Sequence, residues 1–207
     1  MKIFSIEGKL YKTLDYLSKL ITLSILFIIS ALPIVTLGAA LTALHYTVTK
    51  MMEHKDEGIL KIYTYSFLAD FKVATQVWCV FMVLFGIVFL LMKVVFEFIA
   101  APYAAYPLMV ILAMLCIGAF HAFPFLSRFD NNAKEVIMNA FYIGFNNIAI
   151  SIILFAINVA VIMASVLSFT FLILGILFGF PMIATLNMKS LLKIYRNYED
   201  HDDVENI

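Results

Sequence analysis

Charge is what this chain has least of. Only 14% of its 207 residues are Asp, Glu, Lys or Arg, against about a quarter in an ordinary soluble domain. That is too few to cover the surface of a water-soluble monomer. The charges also balance to a net of +0, so there is no basic excess of the kind that binds nucleic acid. Cysteine is scarce as well. Cys79 and Cys116 both fall inside apolar runs, read as small buried hydrophobes, and supply neither a disulfide framework nor a metal set. No HExxH, GxSxG or phosphate-binding glycine loop is present, and no Asp or Glu falls mid-way through an apolar run. The expectation is a non-enzymatic protein without a cofactor or metal and without an ion-coupled pump mechanism, which usually needs an embedded carboxylate.

What is abundant is apolar. Residues of that kind make up 64% of the chain, with 20 Phe and 11 Met among them. Lipid must therefore be the solvent for most side chains. The N-terminal segment is not read as a secretory signal, because its first long apolar run starts only near Leu20, after Glu7 and Asp15.

The chain is organised around residues 14–53. An apolar run from Leu20 to Ala31 stops at Pro33, turns through Ile34-Val35-Thr36-Leu37-Gly38 and continues as a more polar helix to Lys50. Proline ends the first arm because it lacks an N–H and disfavours helix in the residue before it. The second arm is short for about 30 Å of hydrocarbon and carries Thr42, His45, Thr47 and Thr49. It should be surrounded by protein, with Gly38, Ala39, Ala40 and Ala43 letting a neighbour approach closely.

The remainder repeats that plan. The fold class expected is an all-α polytopic membrane bundle, with six spans near 20–35, 39–52, 75–92, 108–125, 146–166 and 169–188. The spans form three hairpins, each preceded by an amphipathic helix lying at the headgroups. The units run over roughly 3–52, 58–128 and 132–195, and a local echo pairs Phe67-x3-Phe71 with Phe141-x3-Phe145. A single transmembrane domain thus covers 1–195. Residues 196–207 are expected to form an acidic, disordered cytoplasmic tail. Lys93 and Glu97 stand one turn apart and can pair. Asp130 or Asn131 is expected to cap the helix that follows, the alternative reading of this polar turn being a docking point.

Placing the N-terminus in the cytoplasm puts every Lys and Arg except Lys93 on the inner side, so both termini are expected inside the cell membrane. Polar residues within spans are the best functional hints, because they cost free energy unless paired. Asn158 is expected to hydrogen-bond a neighbouring helix. His45 and His121 are expected to be packing residues, a metal pair or proton relay being the lesser reading. A polar path for a small neutral solute would need Thr42, His45, Asn158 and Thr185 to line one cavity.

Three stretches together resemble the bacterial YesL family of small integral membrane proteins. Pro33-Ile34-Val35-Thr36-Leu37-Gly38-Ala39, running on through Ala43 and His45 to Tyr46, is similar to its PxxTxGAxxxAxxY hallmark. Phe67 to Thr75 resembles its F-x-x-x-F-[KR]-x-A-T stretch, with Asp70 where the family often has Asn. Phe125-Leu126-Ser127-Arg128-Phe129-Asp130, followed by Asn139-Ala140, resembles a third landmark. The resemblance implies association with carbohydrate uptake, and hence an accessory subunit beside the permease of a sugar ABC transporter. The candidate helix-packing or partner-contact residues are Pro33, Thr36, Gly38, Ala39, Ala43, His45, Phe71, Arg128, Asn139 and Asn158. The partners expected are the lipid bilayer and such permease subunits. A stand-alone channel or facilitator is the alternative.

Overall fold

The computed structural model describes residues 9–53, 58–99 and 102–205, and all regular structure in them is helical. Helix α1 (Lys9–Ala31) is followed by a single tight turn (Ile34–Thr36) and α2 (Leu37–Met52). Then come α3 (Ile59–Ala69), α4 (Phe71–Val94, widening into one π-type turn over Val95–Ile99) and α5 (Tyr106–Leu126). The last group is α6 (Ala133–Asn146), α7 (Ile148–Leu167), the short α8 (Phe169–Leu174) and α9 (Phe180–Glu205).

Five helical stretches are long and apolar enough to cross a membrane: Leu10–Ala31, Phe71–Glu97, Tyr103–Leu126, Ile148–Leu167 and Phe169–Arg196. Their outward faces are lined with large apolar side chains such as Leu90, Val110, Ile153, Met163 and Phe171. In water such a surface would drive aggregation; in lipid it costs nothing. The chain is a multi-pass membrane protein.

Helix α2 is different. At 16 residues it is about 24 Å long, too short to join those five, and it is the most enclosed element. Gly38, Ala39, Ala40, Thr42, Ala43, Leu44, His45, Thr47, Val48 and Thr49 are all buried. The expectation that protein would surround it holds. The alanines let it divide two apolar clusters. Ala39 packs with α4, α5, α6 and α9 through Ala74, Phe81, Phe123, Ile143 and Tyr195. Ala40 and Ala43 pack with α1, α3 and α9 through Leu23, Phe27, Tyr63, Ala184 and Met188. The buried threonines turn their hydroxyls back on their own helix: Thr42 donates to the Gly38 carbonyl, Thr47 to Ala43 and Thr49 to His45.

Several sequence expectations shift. The amphipathic segment before the first span is no separate helix within the described residues: α1 runs unbroken from Lys9 to Ala31, because no Gly or Pro interrupts its pattern. Residues 1–8, and the connector 54–57, lie outside the described residues. The second amphipathic helix spans Ile59–Ala69. It begins after Gly58, whose φ of 84° only glycine adopts freely, and breaks at Asp70. Phe71 therefore opens α4. The cap of α6 is Asn132, one residue beyond the pair expected. Its side chain accepts from the Glu135 N–H at 3.1 Å while the Glu135 carboxylate accepts from the Asn132 N–H at 3.2 Å. The tail expected to be disordered continues α9 as helix to Glu205. The Lys93–Glu97 pair forms, at 3.8 Å.

Candidate functional site

The three landmark stretches meet. Gly38, at the start of α2, sits against the first two turns of α4 and the last turn of α5. A Cβ added there would lie 2.6 Å from the Ala74 carbonyl oxygen, 2.8 Å from Trp78 Cβ and 3.0 Å from Phe123 Cε1. Only glycine permits that approach. Trp78 and Phe123 continue the contact as a tilted ring pair 6.1 Å apart. At the end of α5, Phe125 stacks on Phe129 of the following turn at 4.6 Å, and both rings meet the buried Tyr195 of α9 edge-on. Phe67 and Phe71 form an edge-to-face pair at 5.5 Å across the α3–α4 break. In the other half of the expected echo Phe141 and Phe145 also pair, but stacked, at 6.1 Å. The breaks that follow, at Asp70 and Asn147, fall three residues apart in that alignment.

Electrostatics join the second and third landmarks. Asp70 accepts from the Ser66 hydroxyl at 3.1 Å. Burial pushes its carboxyl above the ordinary range; the Ser66 bond opposes this, and the nearby Asp130 charge adds to it. Asp130 is exposed, and Arg128 and Phe129 are half-buried. Glu135 moves the other way. The Asn131 amide, then the Asn132 N–H, stabilise its ionised form and hold its carboxyl below the usual range.

A second polar group lies between α2, α5, α7 and α9. A cavity of about 250 Å³ is lined by His45, Asn158 and Asn187 among phenylalanines 27, 120, 123, 155 and 180. Asn158 and Asn187 exchange side-chain hydrogen bonds across α7 and α9, 3.1 Å in one direction and 3.3 Å in the other. Asn158 also donates to the Leu154 carbonyl at 2.6 Å. The expected interhelical bond of Asn158 is there, and its partner Asn187 was not singled out in the sequence, because it stands near the end of the last apolar run beside Lys189. His45 donates from Nδ1 to the Leu41 carbonyl at 2.8 Å.

His121 belongs elsewhere. Its Nε2 is 2.7 Å from the Ser151 hydroxyl, which in turn is within reach of the Gly144 and Asn147 carbonyls. It thus ties α5 to the α6–α7 junction, at a place where Gly144 lets the helices close on Ile117. The two histidines serve different networks, and among the described residues no three His, Cys, Asp or Glu side chains gather as metal ligands would. The four groups of the polar path are likewise dispersed. His45 and Asn158 share the cavity. Thr42 is turned to the Gly38 carbonyl, and Thr185 lies on a separate groove with Lys12, Lys19 and Lys189.

The other candidate residues spread along this framework. Pro33 is exposed at the turn, where Thr36 donates to the Ser30 and Pro33 carbonyls at 2.6 and 2.8 Å and so satisfies the tip's backbone. Ala39 and Ala43 are fully buried, and Asn139 is half-buried on α6.

No curated protein and no solved structure matches the chain. Residues 20–92, from the apolar part of α1 into α4, match the family described as "Protein of unknown function, DUF624".

Proposed function

We propose that this is a non-enzymatic accessory subunit of the YesL type, which binds beside the permease of a carbohydrate ABC transporter. The supporting observation is the convergence of the landmarks. Gly38, Ala74 and Phe123 lock three helices together, and beyond them Asp70 lies near Asp130, in a turn that also carries Arg128 and the Phe129 ring stacked on Phe125. Rigid packing that ends in an exposed charged turn suits docking of another protein. The sugar-uptake assignment rests on the family resemblance alone.

The basic residues support a cell-membrane placement with both termini in the cytoplasm. The docking turn at 127–132 then faces the cytoplasm. Six crossings count α1 and α2 as the first pair. That hairpin is the shallow one. Its first arm, α1, is long enough to cross by itself, but the returning stretch from Gly38 to Lys50 is only about 20 Å long, against about 30 Å of hydrocarbon.

Affinity purification of the tagged protein from mildly solubilised membranes tests the reading. Permease subunits should co-purify, and Asp130→Lys should reduce their recovery severalfold while the protein stays monodisperse. Reproducible recovery of the folded protein with no permease would refute it.

A further inference from the structure

We infer that the crevice between α2, α5, α7 and α9 is a binding site for a small lipid-soluble alcohol. The inference is independent of the docking proposal and starts from unfilled hydrogen-bonding capacity. His45 and Asn187 are only 7% and 5% exposed, and both line the cavity. With its Nδ1 proton on the Leu41 carbonyl, the neutral His45 ring offers Nε2 as an acceptor. Asn158 uses both amide hydrogens, on Leu154 and Asn187. Asn187 uses one, on Asn158, and keeps one N–H to give. The cavity therefore offers one acceptor and one donor, and a hydroxyl answers both. It donates to Nε2 and accepts from the Asn187 amide. A carboxylate or an ammonium would bring a full charge into an apolar site that holds no counter-charge.

Shape and access agree. Apolar side chains, five of them phenylalanine, make up most of the wall, which suits an apolar body attached to the hydroxyl. A volume of about 250 Å³ admits only a small one. The α7 wall is open to the lipid side, with Phe155, Val159 and Ile162 exposed by 43%, 42% and 58%, so entry is from the bilayer.

The test is photolabelling of the full chain in phosphatidylcholine vesicles, with a diazirine-bearing octanol against the matching diazirine-bearing octane at equal membrane concentration. The alcohol should mark the cavity wall, at Phe120 or Phe155, about 5-fold more than the alkane, the factor carried by one net hydrogen bond. Excess octanol should protect, and His45→Phe and Asn187→Leu should each bring labelling down to the alkane level. Equal labelling of the wild-type protein by the two probes would overturn the inference, as would alcohol labelling that persists in both folded variants. The wild-type comparison decides on its own if a variant fails to fold.

Discussion

At the scale of single residues, glycine spacing carries the tightest packing, and its cost can be ranked. A methyl on Gly38 meets backbone, the Ala74 carbonyl oxygen at 2.6 Å, which cannot move without shifting α4. A methyl on Gly144 meets Ile117 Cγ2 at the same distance, but that is the end of a side chain that can turn. Gly86 has nothing within 4 Å. Thermal unfolding in detergent should therefore show Gly38→Ala as the most damaging, by about 1–3 kcal/mol. Gly144→Ala should be milder, and Gly86→Ala neutral or stabilising by up to about 1 kcal/mol. An equal response at all three would mean that α2 and α4 are not in contact.

Asp70 makes a prediction with a sign. Burial raises its carboxyl, so the folded protein holds that proton more firmly than the unfolded chain does. The associated stability is present below the ordinary aspartate value and lost as pH rises through the raised one. At neutral pH the ionised group is a cost. Asp70→Asn keeps an acceptor for the Ser66 hydroxyl without the charge. It should raise the Tm at pH 7 and leave it unchanged near pH 3, where both proteins are uncharged at that position. A Tm lowered by the substitution at pH 7 would show that the charge has a favourable partner. Glu135 has the opposite sense: its lowered carboxyl stabilises above the ordinary glutamate value and loses that effect as pH falls.

At the scale of elements, the first hairpin decides most. Its turn presents Leu32, Pro33, Ile34 and Val35 outward, all apolar and exposed, with Leu32 at 74%. The same turn leads into Gly38, which touches Ala74 and Trp78, only one and two turns along α4 from its start at Phe71. With α2 only about 24 Å long, this would set the turn short of the far headgroups in the proposed topology. A Val35→Cys variant should resist a membrane-impermeant maleimide added outside intact cells, whereas Tyr103→Cys, in the exposed loop before α5, should label. Labelling of both at similar rates would make the hairpin two complete spans.

The same hairpin shows what was legible in the sequence. Pro33, Gly38 and the run of small residues announced the break and the close packing, because those residue types act locally. The enclosure of α2 was also readable, since threonines and a histidine do not face lipid. What was not readable depended on distant partners. The packing of α3 along α2, and of α6 along α5, is tertiary; from amphipathicity alone both read as helices at the headgroups. The cavity's second amide, Asn187, gave no signal of its own, since only the fold brings it to Asn158. Asn132 rather than its neighbours caps α6 because its spacing to Glu135 closes a reciprocal box, a choice that composition alone leaves between three adjacent residues.

At the scale of the whole molecule, the asymmetry of charge is the strongest orienting force. Lys93 is the one basic residue expected outside, and it is paired with Glu97 at 3.8 Å. The first hairpin enters and leaves on one face whether its turn is deep or shallow, so it does not alter the parity of the crossings. Four long stretches remain after it, formed by α4, α5, α7 and the α8–α9 run, and an even number returns the chain to its starting side. On the proposed topology the C-terminus therefore shares the compartment of α1. A fluorescent protein that matures only in the cytoplasm, fused after Ile207, should fluoresce, and an alkaline phosphatase fused there should be inactive. Fused instead within the 103–106 loop of a chain truncated at that point, after one net crossing by α4, the phosphatase should be active. The reverse pattern would place the charged turn at 127–132 outside the cell and remove the basis for a cytoplasmic docking face.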